Sequence, residues 1–346
     1  MRGFDCSPKA VHWGMVAVLA ATLACGAARG EKCTTQSAMT DSDRNALASA
    51  ARGMAEKVQA NDAAGLQAIT IAEYAHNFGA IQNAVADASA KVKGAALVVD
   101  QVYLLDASDL KLGSDGKPSN AQFLCTLNRS IAEADFSIPS LPAGKYGFAV
   151  LEARGVAAPW RLSFLMQQVQ GQWQMAGFYP RAVTAAGHDG LWYWTEARTM
   201  AKNKQQWSAW LYYQQAEVLL NPSGLIQSTH LEKLRNEQSA AAPPALSSGI
   251  SPESPLVVKG ADGAEYHFTG LRVDDSLAKD KIDVLAHLKV DQLGDAVAAR
   301  KRNTDAMSAL VAAYPELRKS FHGVWILSEV PGQSPYATEQ AMNEIH

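Results

Sequence analysis

The chain has 346 residues, of which 48% are hydrophobic and 19% are charged, and this is the composition of a folded protein rather than a disordered one. Because this length exceeds what one hydrophobic core usually organises, we expect more than one domain. The 31 basic and 34 acidic residues leave a net charge of -3, which gives no long-range attraction to phosphate backbones or anionic lipids. The charge balance therefore argues against nucleic-acid binding.

Residues 1–28 have the layout of an export signal. Arg2 and Lys9 precede an uncharged run that ends in small residues at Ala28, and a basic head with a small-residue exit is typical of secretory signals. Cleavage after Ala28 is one interpretation. The sequence TLAC resembles a bacterial lipobox, although its leucine lies one place too close to Cys25. Lipidation of Cys25 is the second interpretation, and an uncleaved anchor helix is the third.

Two further cysteines, Cys33 and Cys125, follow the export signal. Cys33 lies in residues 29–40, which we expect to be a flexible tail, whereas Cys125 shares a predicted strand face with Phe123. An oxidising compartment permits the two thiols to pair. The sequence leaves two alternatives open, a disulfide or a buried thiol beside a spare one.

Residues 41–185 predict helices followed by antiparallel strands. Apolar residues first recur at helical spacing, as in the steps of four, three and four that join Leu47, Ala51, Met54 and Val58. A second helical run spans 78–92. From Leu97 the apolar period changes to two, which predicts six strands. These strands are 97–106, 121–127, 132–138, 146–153, 160–169 and 173–179.

This order of elements, closed by the strand GQWQMAGFY, resembles the nuclear transport factor 2-like superfamily. The resemblance implies an α+β cone in which helices are wrapped by a bent antiparallel sheet with one open mouth. On strict alternation Asp100 and Glu152 each share a strand face with apolar residues. A carboxyl group inside such a cone would have a raised pKa and could act as a general acid or base. The alternative is that a bulge or a strand end turns both groups to water.

Residues 186–238 predict a helical hairpin that is rich in aromatic rings. Asp189 suits the start of the first helix, the break NKQQ separates the two helices, and Pro222 ends the second. The small-aromatic-small series Ala209, Tyr213 and Ala216 resembles one tetratricopeptide repeat. The usual leucine-glycine pair is missing from the first helix, and the proline comes one residue late. A single unit of this kind must pack against another domain to bury its faces.

Four of the eight tryptophans fall within this hairpin, at positions 192, 194, 207 and 210. Most rings lie at core spacings, so we expect them mainly to contact each other and the neighbouring domains. One hairpin cannot bury all four indoles. Trp192, Trp194, Trp207 and Trp210 are therefore the candidate binding surface, since exposed tryptophan clusters are typical of binding hot spots.

Residues 239–255 contain four prolines and five serines without apolar periodicity and are predicted to be a linker. Residues 256–346 then predict a small C-terminal α+β domain of four strands and one helix. Thr304, Met307, Val311 and Tyr314 lie on one face of that helix. The final sixteen residues are expected to be loosely held.

No phosphate-binding glycine loop, no nucleophile elbow and no pair of histidines at helical metal spacing is present in the sequence. The eight histidines are scattered singly, and isolated ones such as His76, His188 and His322 are typical of structural or surface positions. We therefore expect neither a metal site nor a cofactor.

Together these features predict a non-enzymatic, exported envelope protein that is periplasmic or is a lipoprotein facing the periplasm. It would act as a scaffold that binds an envelope protein or a small apolar ligand, and would touch the membrane only through its N-terminus. One alternative is a small-molecule isomerase or dehydratase that uses Asp100 or Glu152 as its base. Another is a passive structural lipoprotein tethered through Cys25.

Overall fold

The computed structural model describes residues 31–126, 132–277 and 280–346. The predicted export signal, including Cys25, lies outside these ranges. The described chain is a mixed α+β protein whose sheets remain open, and this confirms the α+β part of the expected fold class. None of the helices in the described ranges is long and apolar enough to cross a membrane.

Residues 32–182 form helices and two sheets. The elements are β1 (Lys32–Thr35), α1 (Asp41–Gln59), α2 (Ala63–Gln67), α3 (Ala72–Ala75), α4 (Gly79–Val92), β2 (Ala96–Asp106), β3 (Ala121–Thr126), β4 (Glu133–Ile138), β5 (Lys145–Arg154), β6 (Trp160–Val169) and β7 (Gln172–Ala182). The first sheet has five antiparallel strands in the order β1-β2-β5-β6-β7, and the helices α1 and α4 cover one of its faces. The helix α1 begins where the Thr40 hydroxyl accepts a hydrogen bond from the Asp43 amide at 3.1 Å, and it buries Leu47, Met54 and Val58 against this face.

The strands β3 and β4 do not join the first sheet, contrary to the single bent sheet that was expected. With β10 (Ile226–Ser228) they form a second, three-stranded sheet in the order β10-β4-β3. Alternate residues of both strands are buried, because the apolar side of the β3–β4 pair packs on the other face of the first sheet. Phe136 contacts the rings of Tyr103 and Phe148 there, at centroid distances of 5.0 and 5.2 Å.

The segment that was expected to be a flexible tail contributes the edge strand β1, which pairs antiparallel with β2 from Lys32↔Asp106 to Thr35↔Tyr103. Of the two alternatives that the sequence left open for the cysteines, the structure contains the disulfide. Cys33 and Cys125 are linked with a Cα–Cα distance of 5.3 Å across 92 residues of sequence. The disulfide therefore ties the edge of the first sheet to β3 of the second.

The aromatic segment folds as the expected helical hairpin, followed by a third helix that packs on it. Asp189 begins the hairpin by accepting a hydrogen bond from the Trp192 amide at 2.8 Å. The helix that follows extends to Ala241, inside the predicted linker, and Leu246 of that linker is buried. The elements are β8 (Thr184–Ala185), β9 (His188–Asp189), α5 (Gly190–Lys202), α6 (Gln206–Leu220), α7 (Thr229–Ala241) and a short 3-10 helix (Pro244–Leu246).

The C-terminal elements are β11 (Leu256–Lys259), β12 (Glu265–Asp274), β13 (Asp283–Lys289), α8 (Ala296–Ala313), α9 (Leu317–Ser320), β14 (Gly323–Glu329) and β15 (Tyr336–Ala341). Their five strands form one sheet in the order β11-β12-β13-β14-β15, and only β13 and β14 among them are parallel. These two strands run in the same direction because α8 crosses between them, as parallel neighbours require. The helical hairpin and this sheet share one hydrophobic core, in which Tyr213 and Leu234 lie in the same cluster as Phe268 and Val324.

The last sixteen residues are not loosely held. They supply β15, which pairs with β14, and the side chains of Met342 and Ile345 are buried beyond it. Arg318 donates hydrogen bonds to the carbonyl oxygens of Met342 and Ile345 at 2.6 and 2.8 Å. The chain end is therefore part of the packed structure.

Gly53 offers a test of the helix that covers the first sheet. It lies inside α1, and a Cβ atom at this position would meet no heavy atom within 4 Å. Gly53→Ala is therefore expected to raise the free energy of unfolding by about 1 kcal/mol, since alanine loses less backbone entropy in a helix. Urea denaturation followed by circular dichroism measures this change. A destabilised variant would contradict the open packing at this position.

Candidate functional site

Two of the four tryptophans that were predicted as a binding surface are core residues. Trp194 is 8% exposed, and its indole N–H donates to Glu237 at 2.8 Å while the Arg198 guanidinium lies 4.5 Å from the ring centroid. Trp207 is 6% exposed and its ring lies 4.1 Å from that of Tyr314. Trp194 and Trp207 are therefore removed from the candidate binding surface, because a third helix covers the first and the C-terminal segment covers the second.

The other two tryptophans differ from each other in exposure. Trp210 is half-buried against the shared core. Trp192 is 36% exposed and stacks on the imidazole of His188 at a centroid distance of 3.7 Å. Its remaining neighbours are Tyr193 and Tyr212, at 5.0 and 6.2 Å. Trp192 is thus the one predicted indole with a substantial free surface.

The two predicted carboxylates do not converge in an enclosed cavity. The register of β2 against β5 shifts between Val99 and Gln101, so Asp100 is the extra residue of a β-bulge and is exposed. Glu152 lies near the end of β5, where its carboxylate accepts a hydrogen bond from Arg154 at 2.8 Å, and its partner on the neighbouring strand is Arg161. Strict alternation failed for Asp100 because a bulge changes the side to which later residues point. Asp100 is exposed and Glu152 is paired with Arg154, so neither group lies in the enclosed apolar surroundings proposed for a catalytic base.

A pocket of about 420 Å³ opens where the first sheet, the second sheet and the hairpin meet. We call it the hairpin pocket. Its volume lies in the range typical of small-molecule sites. Most of its wall is apolar, and Leu191 at the start of α5 remains 59% exposed at this site. The residues that define it are Asp100, Tyr103, Val150 and Arg161 of the first sheet, Leu191, Trp194 and Leu220 of the hairpin, and Ile226, His230 and Leu231 beyond it.

Arg161 is the distinctive polar group of the hairpin pocket. Its guanidinium donates hydrogen bonds to the carbonyl oxygens of Leu219 and Leu220 at 3.1 and 3.5 Å. These are the last carbonyls of α6, where the helix dipole favours a cation. Burial lowers the pKa of Arg161 from the ordinary arginine value, against the opposing effect of Glu152 and Asp100. Arginine nevertheless remains charged at any physiological pH.

No motif or helical spacing in the sequence marks Arg161 as a site residue, but the strand pattern around it carries a signal. In the strand Trp160–Val169 the residues Leu162 and Phe164 pack under the helices, so Arg161 alternates onto the same face as the buried Leu165. A charged side chain at an inward-facing strand position is uncommon unless it is paired or functional. The hydrophobic period alone could have singled out this residue.

The hairpin pocket can hold a compact apolar group and place an anionic end against a half-buried guanidinium. Arginine suits this task because its planar fork binds carboxylate and phosphate groups through two parallel hydrogen bonds. Comparisons of the chain with protein-family models, with curated proteins and with solved structures each found no match.

Proposed function

We propose that this protein is a non-enzymatic, exported envelope protein that binds a small, mainly apolar ligand with an acidic end in the hairpin pocket. The observation that carries the proposal is the guanidinium of Arg161 in a mainly apolar wall, which it shares with Asp100 and His230. The exposed side chain of Leu191 supports it, since a bound apolar group would cover this leucine. The acid is the part of the ligand that fixes its orientation.

Export and family membership are parts of the same proposal. The disulfide between Cys33 and Cys125 supports an oxidising compartment, as in a periplasmic protein or a lipoprotein that faces the periplasm. The helices on the first sheet support a relationship to the nuclear transport factor 2-like fold. The close contact of small residues in the hairpin, with Ala209 and Ala216 fully buried, supports the tetratricopeptide-like assignment. The ligand-binding proposal depends on none of these names.

Calorimetric titration with three ligands of equal chain length tests the proposal. Octanoate, octanol and octylamine share an apolar tail and differ in their head group. The native chain is expected to bind octanoate most tightly and octylamine least. Arg161→Gln is expected to weaken octanoate binding by about ten- to a hundredfold, the loss of one charge-assisted hydrogen-bonding group. Octanol binding should change far less.

The matched control is Arg154→Gln, which removes an arginine that pairs with Glu152 and does not line the hairpin pocket. This variant should bind octanoate as the native chain does. Leu191→Glu provides an independent variant, because an exposed side chain can be changed without disturbing the core, and the added negative charge should repel the same ligand. Equal affinity of the native chain for octanoate and octylamine would overturn the proposal.

A further inference from the structure

Three side chains with metal-binding groups meet at one end of the C-terminal sheet. Asp283 begins β13, His322 immediately precedes β14, and Glu339 lies in β15. The parallel register of β13 and β14 brings the first two together, and Glu339 lies opposite Trp325 in the next pair. One ligand atom from each of the three lies within 4.8 Å of the others. We call these residues the terminal triad.

Asp283 is the most buried member of the terminal triad, and each of its carboxylate oxygens has one protein partner. Asp283 is 3% exposed, and a buried carboxylate is costly unless it is paired. Its oxygens lie 3.2 Å from His322 Nδ1 and 3.2 Å from the indole nitrogen of Trp325, which are long contacts for charge-assisted hydrogen bonds. Two carboxylates thus converge beside a single imidazole.

Gly323 keeps the space between the two carboxylates open. A Cβ atom at this residue would lie 3.0 Å from a Glu339 oxygen and 3.2 Å from a Asp283 oxygen, besides 2.6 Å from the carbonyl oxygen of Gln340. Any other residue would therefore occupy the point toward which both acids converge. His322 also lines a cavity of about 250 Å³ beside Phe321, so this member of the terminal triad can be reached from that cavity.

We propose that Asp283, His322 and Glu339 bind a divalent transition-metal ion of the zinc class. One imidazole nitrogen with two carboxylate oxygens is a donor set suited to Zn²⁺, whereas Mg²⁺ and Ca²⁺ prefer oxygen ligands alone. The indole N–H of Trp325 holds one oxygen of Asp283, so that the other is oriented toward His322. Three protein ligands leave a coordination position open toward the cavity.

A second histidine-carboxylate pair on the same sheet differs from the terminal triad in having no second carboxylate. His287 Nδ1 lies 2.7 Å from Glu329. Among the described residues, no third potential metal ligand lies close enough to this pair to form a group like the terminal triad. This pair is joined by one short hydrogen bond. It provides a matched control, because both histidines pair with a carboxylate and only His322 has a second carboxylate nearby.

Calorimetry on the untagged chain, after treatment with a chelator and dialysis, tests the proposal with Zn²⁺ alone. We expect a single equivalent of Zn²⁺ to bind, and Mg²⁺ or Ca²⁺ at the same concentrations not to bind. His322→Gln and Glu339→Gln should each weaken Zn²⁺ binding by about a hundredfold or more, beyond the loss typical of outer-shell changes. His287→Gln should bind Zn²⁺ as the native chain does.

Circular dichroism and thermal melting of each variant establish that it folds. If His322→Gln is unfolded, Glu339→Gln carries the test, since its side chain is partly exposed and retains its shape. Failure of the native chain to bind Zn²⁺ would overturn the proposal. Equal loss of binding in His287→Gln and in the triad variants would also overturn it, because the ion would then not be held by the terminal triad.

Discussion

Replacing both Cys33 and Cys125 by serine is expected to lower the free energy of unfolding by about 4 kcal/mol, because a disulfide across so long a segment restricts the unfolded chain strongly. The closed segment spans 92 residues. Cys33 lies in an edge strand that only β2 pairs, and Cys125 lies in the second sheet, so the change also loosens the contact between the two sheets. Urea denaturation of the oxidised proteins measures the difference.

Reduction provides the control for this prediction. In the presence of a strong reductant the native chain should unfold at the same urea concentration as the double variant, since both then lack the crosslink. Single replacement of either cysteine should cost about as much as the double replacement, because the bond is lost in each case. Identical midpoints of the oxidised native chain and the double variant would contradict a stabilising role.

Gly190→Val is expected to destabilise the protein by about 3 kcal/mol, since overpacking between two helices forces the backbone apart. Gly190 is the first residue of α5. A Cβ atom there would lie 2.6 Å from the Leu220 side chain and 3.1 Å from the carbonyl oxygen of Ala216. Leu220 also lines the hairpin pocket. The variant should therefore lose octanoate affinity together with stability.

Gly224→Val is the matched control for the hairpin. It lies beyond the end of α6, and a Cβ atom at that position would meet no heavy atom within 4 Å. Thermal melting should show a far smaller change for this variant than for Gly190→Val. Equal losses at both positions would mean that valine acts through chain flexibility rather than through contact between the two helices.

The sequence predicts much of the local structure because local structure depends on near neighbours. The four apolar residues of α1 and the alternation in β5 and β6 place these elements close to their observed bounds. Strand pairing depends on distant residues and was not predictable in the same way. The separate sheet of β3 and β4, the bulge at Asp100 and the pairing of β15 are all decided by what the finished fold packs against them.

The candidate sites were less predictable than the elements that carry them. Arg161 reaches the end of α6 across 58 residues of sequence, and no spacing motif connects the two. Asp283 and Glu339 come from two strands and His322 from the residue before a third, so each one appears in the sequence as an isolated polar residue. Sequence spacing indicates metal ligands on one helix or loop, and a site of the kind proposed here, assembled by a sheet, gives no such spacing.

The common interior of the hairpin and the C-terminal sheet has a consequence for how the chain can be divided. Cutting within the proline- and serine-rich stretch would separate two pieces that each expose part of one hydrophobic core to water, with Tyr213 on one piece and Phe268 on the other. The C-terminal piece is therefore not expected to fold as an independent domain, because part of its hydrophobic core comes from the helical hairpin.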